Sequence, residues 1–326
     1  MSFPENFFLW SVAAGALGSG LSLPFWRNLC RRLGLLDDPG FRKIHTHPVP
    51  LAGGFAVLTG LLSGASVVAL VIMGGFFESG FFTKLTEIPF RLLVSLATVV
   101  VAAVGMVLLG GCDDHLELKP AHKFLGQILM AIIVVLGGVQ GAFFVLNPLL
   151  NGLATVVWIV VVTNVFNLSD NMNGLCGGLG AIGALFFGMI YANSGHIMAG
   201  AFAGLILGAL LGFLPYNYPR ATVFLGDAGS HLVGYLMAVL PLLPHFYADR
   251  ISLSQTMSPL TSLAVLAVPF LDTFTVFWLR TLARKPFWIG DTQHFSHQLV
   301  RVGLGKPAAV AVLWSVALLF GWMAVR

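Results

Sequence analysis

Charged side chains are scarce in this sequence of 326 residues. Only 9% of the residues are Asp, Glu, Lys or Arg, whereas 57% are hydrophobic, and the mean hydropathy is +0.91. A soluble domain carries about 25% charged residues, so the composition excludes an ordinary soluble protein. We predict an all-α polytopic integral membrane protein in which residues 1–326 form a single domain.

Cysteine is also rare, and the first apolar run lacks the cleavage site of a signal peptide. Cys30, Cys112 and Cys176 share no spacing typical of metal ligands, and an odd count near helix ends indicates free thiols. The first apolar run, about Phe7 to Trp26, follows Glu5 rather than Lys or Arg and lacks a cleavage site of small residues. We therefore predict a retained membrane helix here and not a signal peptide.

Ten apolar runs are about long enough to cross a bilayer, and the loops between them divide the basic residues unequally. Thirteen of the 17 Lys and Arg residues fall in one set of loops and four in the other. Cytoplasmic loops are enriched in Lys and Arg, so the first set should face the cytoplasm and both termini should lie outside. The predicted spans are 7–26, 51–75, 89–110, 124–141, 148–166, 175–193, 196–215, 229–246, 257–280 and 307–325.

The predicted cytoplasmic face also carries most of the carboxylates and histidines. A transporter, which is one alternative, would more often place ionisable groups near the bilayer midplane, and here only Asp272 lies within a span. The pattern favours a site where a water-soluble reactant meets a membrane-anchored one. The residues on this face are Asp37, Asp38, Asp113, Asp114, Glu117, Asp170, Asp227, Asp291, His45, His47, His115, His294 and His297.

Two adjacent carboxylates, Asp113 and Asp114, follow the uncharged run from Leu92 to Leu109. Adjacent carboxylates repel each other, and a proton or a divalent cation relieves the repulsion. The pair therefore indicates a catalytic or metal site, and the alternative is a solvated loop between two membrane helices.

Asparagines dominate the segment that ends the fifth predicted span. Asn164, Asn167 and Asn171 share one face of a helix, and Asp170 is one turn from Asn167. Amides at this position could form hydrogen bonds with the edge of a uracil or a sugar, or they could orient a carboxylate. Alternatively, they cap the last turn of the helix.

A tight turn precedes the eighth predicted span. Phe224, Gly226, Asp227, Gly229 and Ser230 form an entry to a helix whose free N–H groups suit an anion. Asp227 could bind a cation that accompanies this anion. The alternative is a turn with an ordinary helix cap.

Two further loops combine basic residues with histidines. His294 and His297, three residues apart near Arg284 and Lys285, form an incomplete zinc site, so recognition of phosphate is the better interpretation. The segment that begins with Arg42, Lys43 and His45 could likewise hold phosphates. In both loops the alternative is a solvated segment whose charges only set the membrane orientation.

Together these segments resemble the polyprenyl-phosphate N-acetylhexosamine-1-phosphate transferases, the family of glycosyltransferases that includes the WecA and TagO types and is related to MraY. Singly the motifs are weak, but in this order and on one face they are specific. They are Arg42-Lys43-x-His45 with Pro50 and Gly53-Gly54, Asp113-Asp114, Asn164-x-x-Asn167-x-x-Asp170, Phe224-x-Gly226-Asp227-x-Gly229-Ser230 and Asp291-x-x-His294-x-x-His297.

The resemblance implies an enzyme of the bacterial cytoplasmic membrane that transfers sugar-1-phosphate, preferably GlcNAc-1-phosphate, from a UDP-sugar to polyprenyl phosphate and releases UMP. It implies Mg²⁺ as cofactor, with Mn²⁺ as a substitute, and the membrane and a second copy of the chain as partners, but no nucleic acid. Asp113, Asp114 and Asp227 would be catalytic residues and metal ligands. The implied substrate-binding residues are Lys43, His45, Lys119, Asn164, Asn167, Asp170, Asn173, Phe224, His294 and His297.

The sequence departs from the family pattern at two places. The family usually reads Asp-Gly-x-Asp-Gly where this chain has Asp170-Asn171-Met172-Asn173-Gly174, and His-x-His-His where it has His294-Phe295-Ser296-His297. These changes bear on how the nucleotide and the sugar are recognised more than on the type of reaction. A phospho-MurNAc-pentapeptide transferase of the MraY type is therefore the alternative within the family.

Overall fold

The computed structural model describes residues 3–38, 47–73, 90–141, 147–243, 259–284 and 293–326, and this part of the chain is almost entirely helical. A pair of two-residue strands, β1 (Leu36–Asp37) and β2 (Val49–Pro50), is antiparallel. The helices are α1 (Phe3–Leu33), α2 (Gly53–Met73), α3 (Phe90–Leu116), α4 (Pro120–Leu136), α5 (Pro148–Ser169), α6 (Leu175–Asn193), α7 (Ile197–Asn217), α8 (Gly226–Val239), α9 (Pro259–Val265), α10 (Ala267–Leu282), α11 (Phe295–Arg301) and α12 (Lys306–Val325).

Seven of these helices are long and apolar enough to span a membrane, so the prediction of an all-α polytopic membrane protein is confirmed. They are α1, α2, α3, α5, α6, α7 and α12. The helices α9 and α10 meet at an angle of 83° and add an eighth span if they cross together.

The two other predicted spans, 124–141 and 229–246, lie on shorter helices. Helix α4 has 17 residues, or about 26 Å at 1.5 Å per residue, and it ends at Gly137, before Gly138 with φ +94°. Helix α8 has 14 residues and continues as a 3₁₀ turn over Leu240–Leu242. The apolar runs continue past the helix ends, which is why the sequence predicts ten spans of full length.

Helix α8 lies at the centre of the bundle. All its residues from Ala228 to Val239 are buried, and it packs against α2, α3, α5 and α6. Tyr235 donates a hydrogen bond to the carbonyl of Val99 (2.9 Å), and Trp158 donates one to the carbonyl of Ala238 (2.9 Å). A helix that is apolar on all sides is suited to a central position, and this arrangement places its polar N-terminus at one end of the bundle.

Glycines bring the neighbouring backbones close to this N-terminus. A Cβ on Gly110 of α3 would lie 2.3 Å from the Asp227 carbonyl oxygen, and one on Gly54 of α2 would lie 2.4 Å from the Gly229 nitrogen. The Phe224 N–H donates to the carbonyl of Pro50 (2.9 Å), and the Gly53 N–H donates to that of Phe224 (2.9 Å). The glycine and proline motifs therefore join the ends of α2, α3 and α8 at one place.

Candidate active site

Asp114 binds the N-terminus of α8. One of its carboxylate oxygens accepts a hydrogen bond from the Asp227 N–H (2.8 Å), and the other accepts one from the Ala228 N–H (3.1 Å). Gly226 has φ +72°, and a Cβ there would lie 2.7 Å from Asp114 Oδ2. Glycine is therefore required, and Asp114 supplies the acceptors that the first helical N–H groups need.

Asp113 is buried, and it pairs with Lys123 of α4. Its Oδ1 accepts a hydrogen bond from the Leu118 N–H (2.9 Å), and its Oδ2 forms an ion pair with the Lys123 ammonium. The same ammonium lies 3.3 Å from Asp227 Oδ2. Lys123, which was not predicted as a site residue, therefore connects the carboxylates of two helices.

The asparagine motif meets the Gly-Asp-x-Gly-Ser motif at Asp227. The Asn167 amide donates to Asp227 Oδ1 (2.8 Å) and to the Ser230 hydroxyl (2.8 Å). With Lys123 on its other oxygen, Asp227 is held from both sides. Ser230, which was not predicted as a site residue, occupies the first turn of α8 beside it.

Asp170 terminates α5 next to this cluster. Its N–H donates a hydrogen bond to the Asn167 carbonyl (3.2 Å). Burial, together with the charges of Asp227 and Asp114, raises the pKa of Asp170 to about 8. Asp170 therefore lies within electrostatic range of the other carboxylates and gains from a nearby cation.

The short helix α11 carries the two predicted histidines. His294 is buried, and its Nδ1 lies 2.7 Å from Asp272 Oδ2, while the Phe295 N–H donates to Asp272 Oδ1 (2.6 Å). Asp272 of α10 therefore holds the start of α11 in place. Burial lowers the pKa of His297, as do the neighbouring His294, Arg301 and Lys306.

Comparison with known proteins identifies the family. Residues 96–245, which include the cluster of Asp113, Asp114, Lys123, Asn167 and Asp227, match the model of glycosyl transferase family 4. The chain is 30% identical over 310 residues to the probable undecaprenyl-phosphate N-acetylglucosaminyl 1-phosphate transferase of Bacillus subtilis, covering 93% of this chain and 80% of that protein. The chain belongs to glycosyl transferase family 4. The family predicted from the motifs is therefore confirmed.

Two other relatives in the family carry similar names. The decaprenyl-phosphate N-acetylglucosaminephosphotransferase of Mycobacterium tuberculosis is 30% identical over 322 residues, or 90% of this chain and 76% of that protein. The undecaprenyl-phosphate alpha-N-acetylglucosaminyl 1-phosphate transferase of Escherichia coli is 28% identical over 316 residues, or 92% and 78%. The similarity thus extends over most of each protein.

The two departures from the family pattern contact each other. The Ser296 hydroxyl of α11 donates to Asn171 Oδ1 (2.6 Å), and the Asn171 amide donates to the Leu168 carbonyl (3.1 Å). This contact joins α11 to the turn after α5. Asn173, the other altered residue, is partly buried in the same turn, and its role stays a prediction.

Several predicted residues lie apart from the central cluster. Asn164 is one turn below Asn167 and donates to Gln127 Oε1 (2.5 Å) and to the Val160 carbonyl (2.8 Å). Lys119 is exposed before α4, and Phe224 is partly buried before α8. Lys43 and His45 lie outside the described residues, and so does Asp291.

The donor atoms of the family's cluster suit a hard cation. Among the described residues, no three His, Cys, Asp or Glu side chains form a metal-binding group. Mg²⁺ is often bound by one or two carboxylates together with substrate phosphates, and Asp227, Asp113 and Ser230 offer oxygen atoms. Asn167 supports Asp227 through its amide nitrogen. Lys123 already places a positive charge between Asp113 and Asp227, so these residues fit a cation that arrives with a diphosphate.

Proposed function

We propose that this protein transfers GlcNAc-1-phosphate from UDP-GlcNAc to a polyprenyl phosphate and releases UMP. The observation that carries the proposal is the cluster of Asp113, Lys123, Asn167 and Asp227, which lies at the end of an apolar helix bundle. Lys123 and Asp227 are partly exposed there, and we infer that a lipid phosphate and a soluble nucleotide sugar can both reach them. The names of the Bacillus subtilis and Escherichia coli relatives support the sugar and the lipid class.

The charges of the cluster suit two anionic substrates. The donor diphosphate and the acceptor phosphate repel each other, and phosphoryl transfer depends on positioning and charge stabilisation. Mg²⁺, or Mn²⁺ in its place, would be held by Asp227 with Asp113 and would supply positive charge toward the phosphates. Lys123 adds a fixed positive charge from α4. His294, whose Nδ1 is engaged by Asp272, would contact a phosphate through Nε2.

The reaction needs only one displacement. An oxygen of the polyprenyl phosphate bonds to the β-phosphorus of the UDP-sugar, the bond from that phosphorus to the bridging oxygen breaks, and UMP leaves with the bridging oxygen. The second pKa of a phosphate monoester is about 6, so much of the acceptor is dianionic at pH 7 and a general base is less necessary. Asp113 then organises Lys123 and the acceptor, and Asp114 holds α8. Trapping a phosphorylated aspartate would contradict this mechanism.

The location follows from the same proposal. The chain is a multi-pass membrane protein, and we assign it to the bacterial cytoplasmic membrane with the cluster on the cytoplasmic side, where UDP-sugars are made. There it would begin the synthesis of a cell-envelope glycan. A homodimer stays a prediction.

The test is UMP release by the detergent-purified protein with undecaprenyl phosphate, Mg²⁺ and UDP-GlcNAc. We expect release to require all three components and to be lost in Asp227→Asn, while Glu117→Gln, which changes an exposed carboxylate after the same α3 helix, stays active. UMP from UDP-MurNAc-pentapeptide but not from UDP-GlcNAc would support the MraY-type alternative. A folded protein that releases no UMP with any UDP-sugar would contradict the proposed transferase function.

A further inference from the structure

A second polar layer lies one helical turn deeper in the bundle than the carboxylate cluster. Each member is three or four residues from a cluster residue on the same helix, which corresponds to about 4.5–6 Å along the axis. We call this set the inner layer. The pairs of cluster residue and inner-layer residue are Lys123 and Gln127 on α4, Asn167 and Asn164 on α5, and Asp227 and His231 on α8.

The hydrogen bonds of the inner layer have a fixed direction. The Asn164 amide nitrogen donates to the Val160 carbonyl (2.8 Å) and to Gln127 Oε1 (2.5 Å). The amide nitrogen of Gln127 therefore faces His231, at 3.2 Å from Nε2. An amide NH₂ can only donate, so Nε2 of His231 accepts and the proton of its neutral ring is on Nδ1.

Stability alone does not account for His231. Gln127 and His231 are both fully buried, and within the described part of the chain Nδ1 of His231 has no hydrogen-bond partner. A buried N–H without an acceptor destabilises the folded state. An apolar side chain at this position would avoid that cost.

The inner layer also connects helices that otherwise touch little. Helix α4 packs mainly against α3 and α5, whereas α8 packs against α2, α3, α5 and α6. The contact of Gln127 with His231 and that of Lys123 with Asp227 (3.3 Å) therefore link α4 directly to α8. The two links are one turn apart, so the deeper one restrains the geometry of the other.

We propose that the inner layer is a positioning device, in which neutral His231 holds α4 at the distance from α8 that sets Lys123 against Asp227. This inference rests on the proposed transferase function. Phosphoryl transfer depends on placement, and a shift of about 1 Å can lower a rate by about 100-fold. His231 touches no substrate in this role and acts through Gln127 on the Lys123 ammonium.

The experiment compares His231→Leu with His231→Gln in the UMP-release assay. We expect kcat to fall by about 10- to 100-fold in His231→Leu, with the KM for UDP-GlcNAc nearly unchanged, because placement and not binding is altered. His231→Gln should recover most of the activity, since its amide oxygen can accept the hydrogen bond from Gln127. Tyr235→Phe is the matched control, because it removes a buried hydrogen bond one turn deeper on α8 and should lower the thermal midpoint without lowering kcat.

Three results would overturn the inference while the wild type releases UMP. They are an unchanged kcat in His231→Leu, an equal loss of kcat in His231→Gln, and an equal loss of kcat in Tyr235→Phe at a similar fall in the thermal midpoint. If His231→Leu does not fold, the double variant Gln127→Leu with His231→Leu is used instead. It replaces both partners of the hydrogen bond with apolar side chains and should fold with low kcat. Failure of the double variant to fold would make the layer structural and overturn the inference as well. A folded wild type that releases no UMP would contradict the proposed function, and with it the inference.

Discussion

At the scale of single residues, the two adjacent carboxylates of α3 bind different partners. Asp114 accepts hydrogen bonds from two backbone N–H groups of α8, and Asp113 pairs with the Lys123 ammonium. Successive residues of a helix point about 100° apart, so one faces the helix terminus and the other faces α4. We therefore treat Asp114 as a positioning residue and Asp113 as part of the charge cluster.

This difference predicts unequal effects on stability. Asp114→Ala removes both acceptors at the N-terminus of α8 and should destabilise the protein by about 2 kcal/mol, because hydrogen bonds to charged groups contribute about 1.5–3 kcal/mol. Asp114→Asn keeps one acceptor and should lose less stability than Asp114→Ala. Thermal unfolding of the purified variants measures this, with UMP release in parallel. An Asp114→Ala protein as stable as the wild type would show that α8 does not need this cap.

His297 gives a prediction for the pH dependence of stability. Burial and the neighbouring His294, Arg301 and Lys306 lower its pKa. The unfolded chain takes up this proton as the pH falls through about 6.5, and the folded protein does so only at lower pH. Because the unfolded state binds more protons in that window, the contribution of His297 to stability is present above pH 6.5 and is lost as the pH falls toward 5.

The measurement is the thermal midpoint of the wild type and of His297→Gln between pH 8 and pH 5. At pH 8 the ring is neutral in both states, so the difference there reports packing alone. We expect the thermal midpoint of His297→Gln to rise relative to that of the wild type as the pH falls, because the variant has no group to titrate at this position. A difference that is the same at every pH would contradict the prediction.

At the scale of the elements, the sequence motifs predict which segments meet but not how they are connected. Asn167 and Asp227 were predicted as site residues from their motifs, and the structure joins them directly. Lys123 was missed, although Pro120 marks the start of a helix that places it on one face with Gln127. Ser230 was missed as a site residue because a serine after glycine is as common in a helix cap as in a binding site.

Helix α11 is positioned by two contacts that no local pattern indicates. Asp272 and His294 are 22 residues apart, and Asn171 and Ser296 are 125 residues apart. Contacts of this length depend on the packing of α10 and α11 against the bundle, which periodicity cannot supply. The structure therefore shows that the two departures from the family pattern meet in one contact.

The hydrogen bond between Ser296 and Asn171 predicts coupled effects on nucleotide binding. Ser296→Ala and Asn171→Ala should each raise the KM for UDP-GlcNAc, because either change releases α11 from the turn that carries Asp170. The double variant should be no worse than the worse single variant, with a coupling energy of about 1 kcal/mol.

A double-mutant cycle on kcat/KM measures this coupling. Ser315→Ala on α12 is the control partner, since its hydroxyl only donates to the Ala311 carbonyl of its own helix and its effect should add to that of Asn171→Ala. Additive effects of Ser296→Ala and Asn171→Ala would show that the contact does not influence the site.

At the scale of the whole molecule, the cluster occupies one end of the bundle, and the start of α1 and the end of α12 lie at the other. Helix α1 runs toward the cluster, since Leu35 bonds to Leu51 beside the α8 entry, and α12 runs away from it, since Tyr218 binds Pro307 at its start. Helix α1 therefore begins and helix α12 ends on the same side of the described bundle. The distribution of Lys and Arg adds the prediction that the cluster end is cytoplasmic.

Cys112 allows this orientation to be measured. Its side chain is exposed beside Asp113, whereas Cys30 and Cys176 are buried, so a membrane-impermeant maleimide should react at one position in the folded protein. We expect labelling in inside-out membrane vesicles and none in intact right-side-out cells. Cys112→Ser should remove the label and leaves the carboxylates in place.

The opposite labelling pattern would bear on more than orientation. If Cys112 reacted from outside the cell, the cluster of Asp113, Lys123 and Asp227 would face a compartment without UDP-sugars. The proposed donor could not then reach the site, even if the purified protein released UMP in detergent. Labelling from the cytoplasmic side only, together with UMP release that depends on Asp227, would instead place the donor, the cluster and the membrane lipid at the same face.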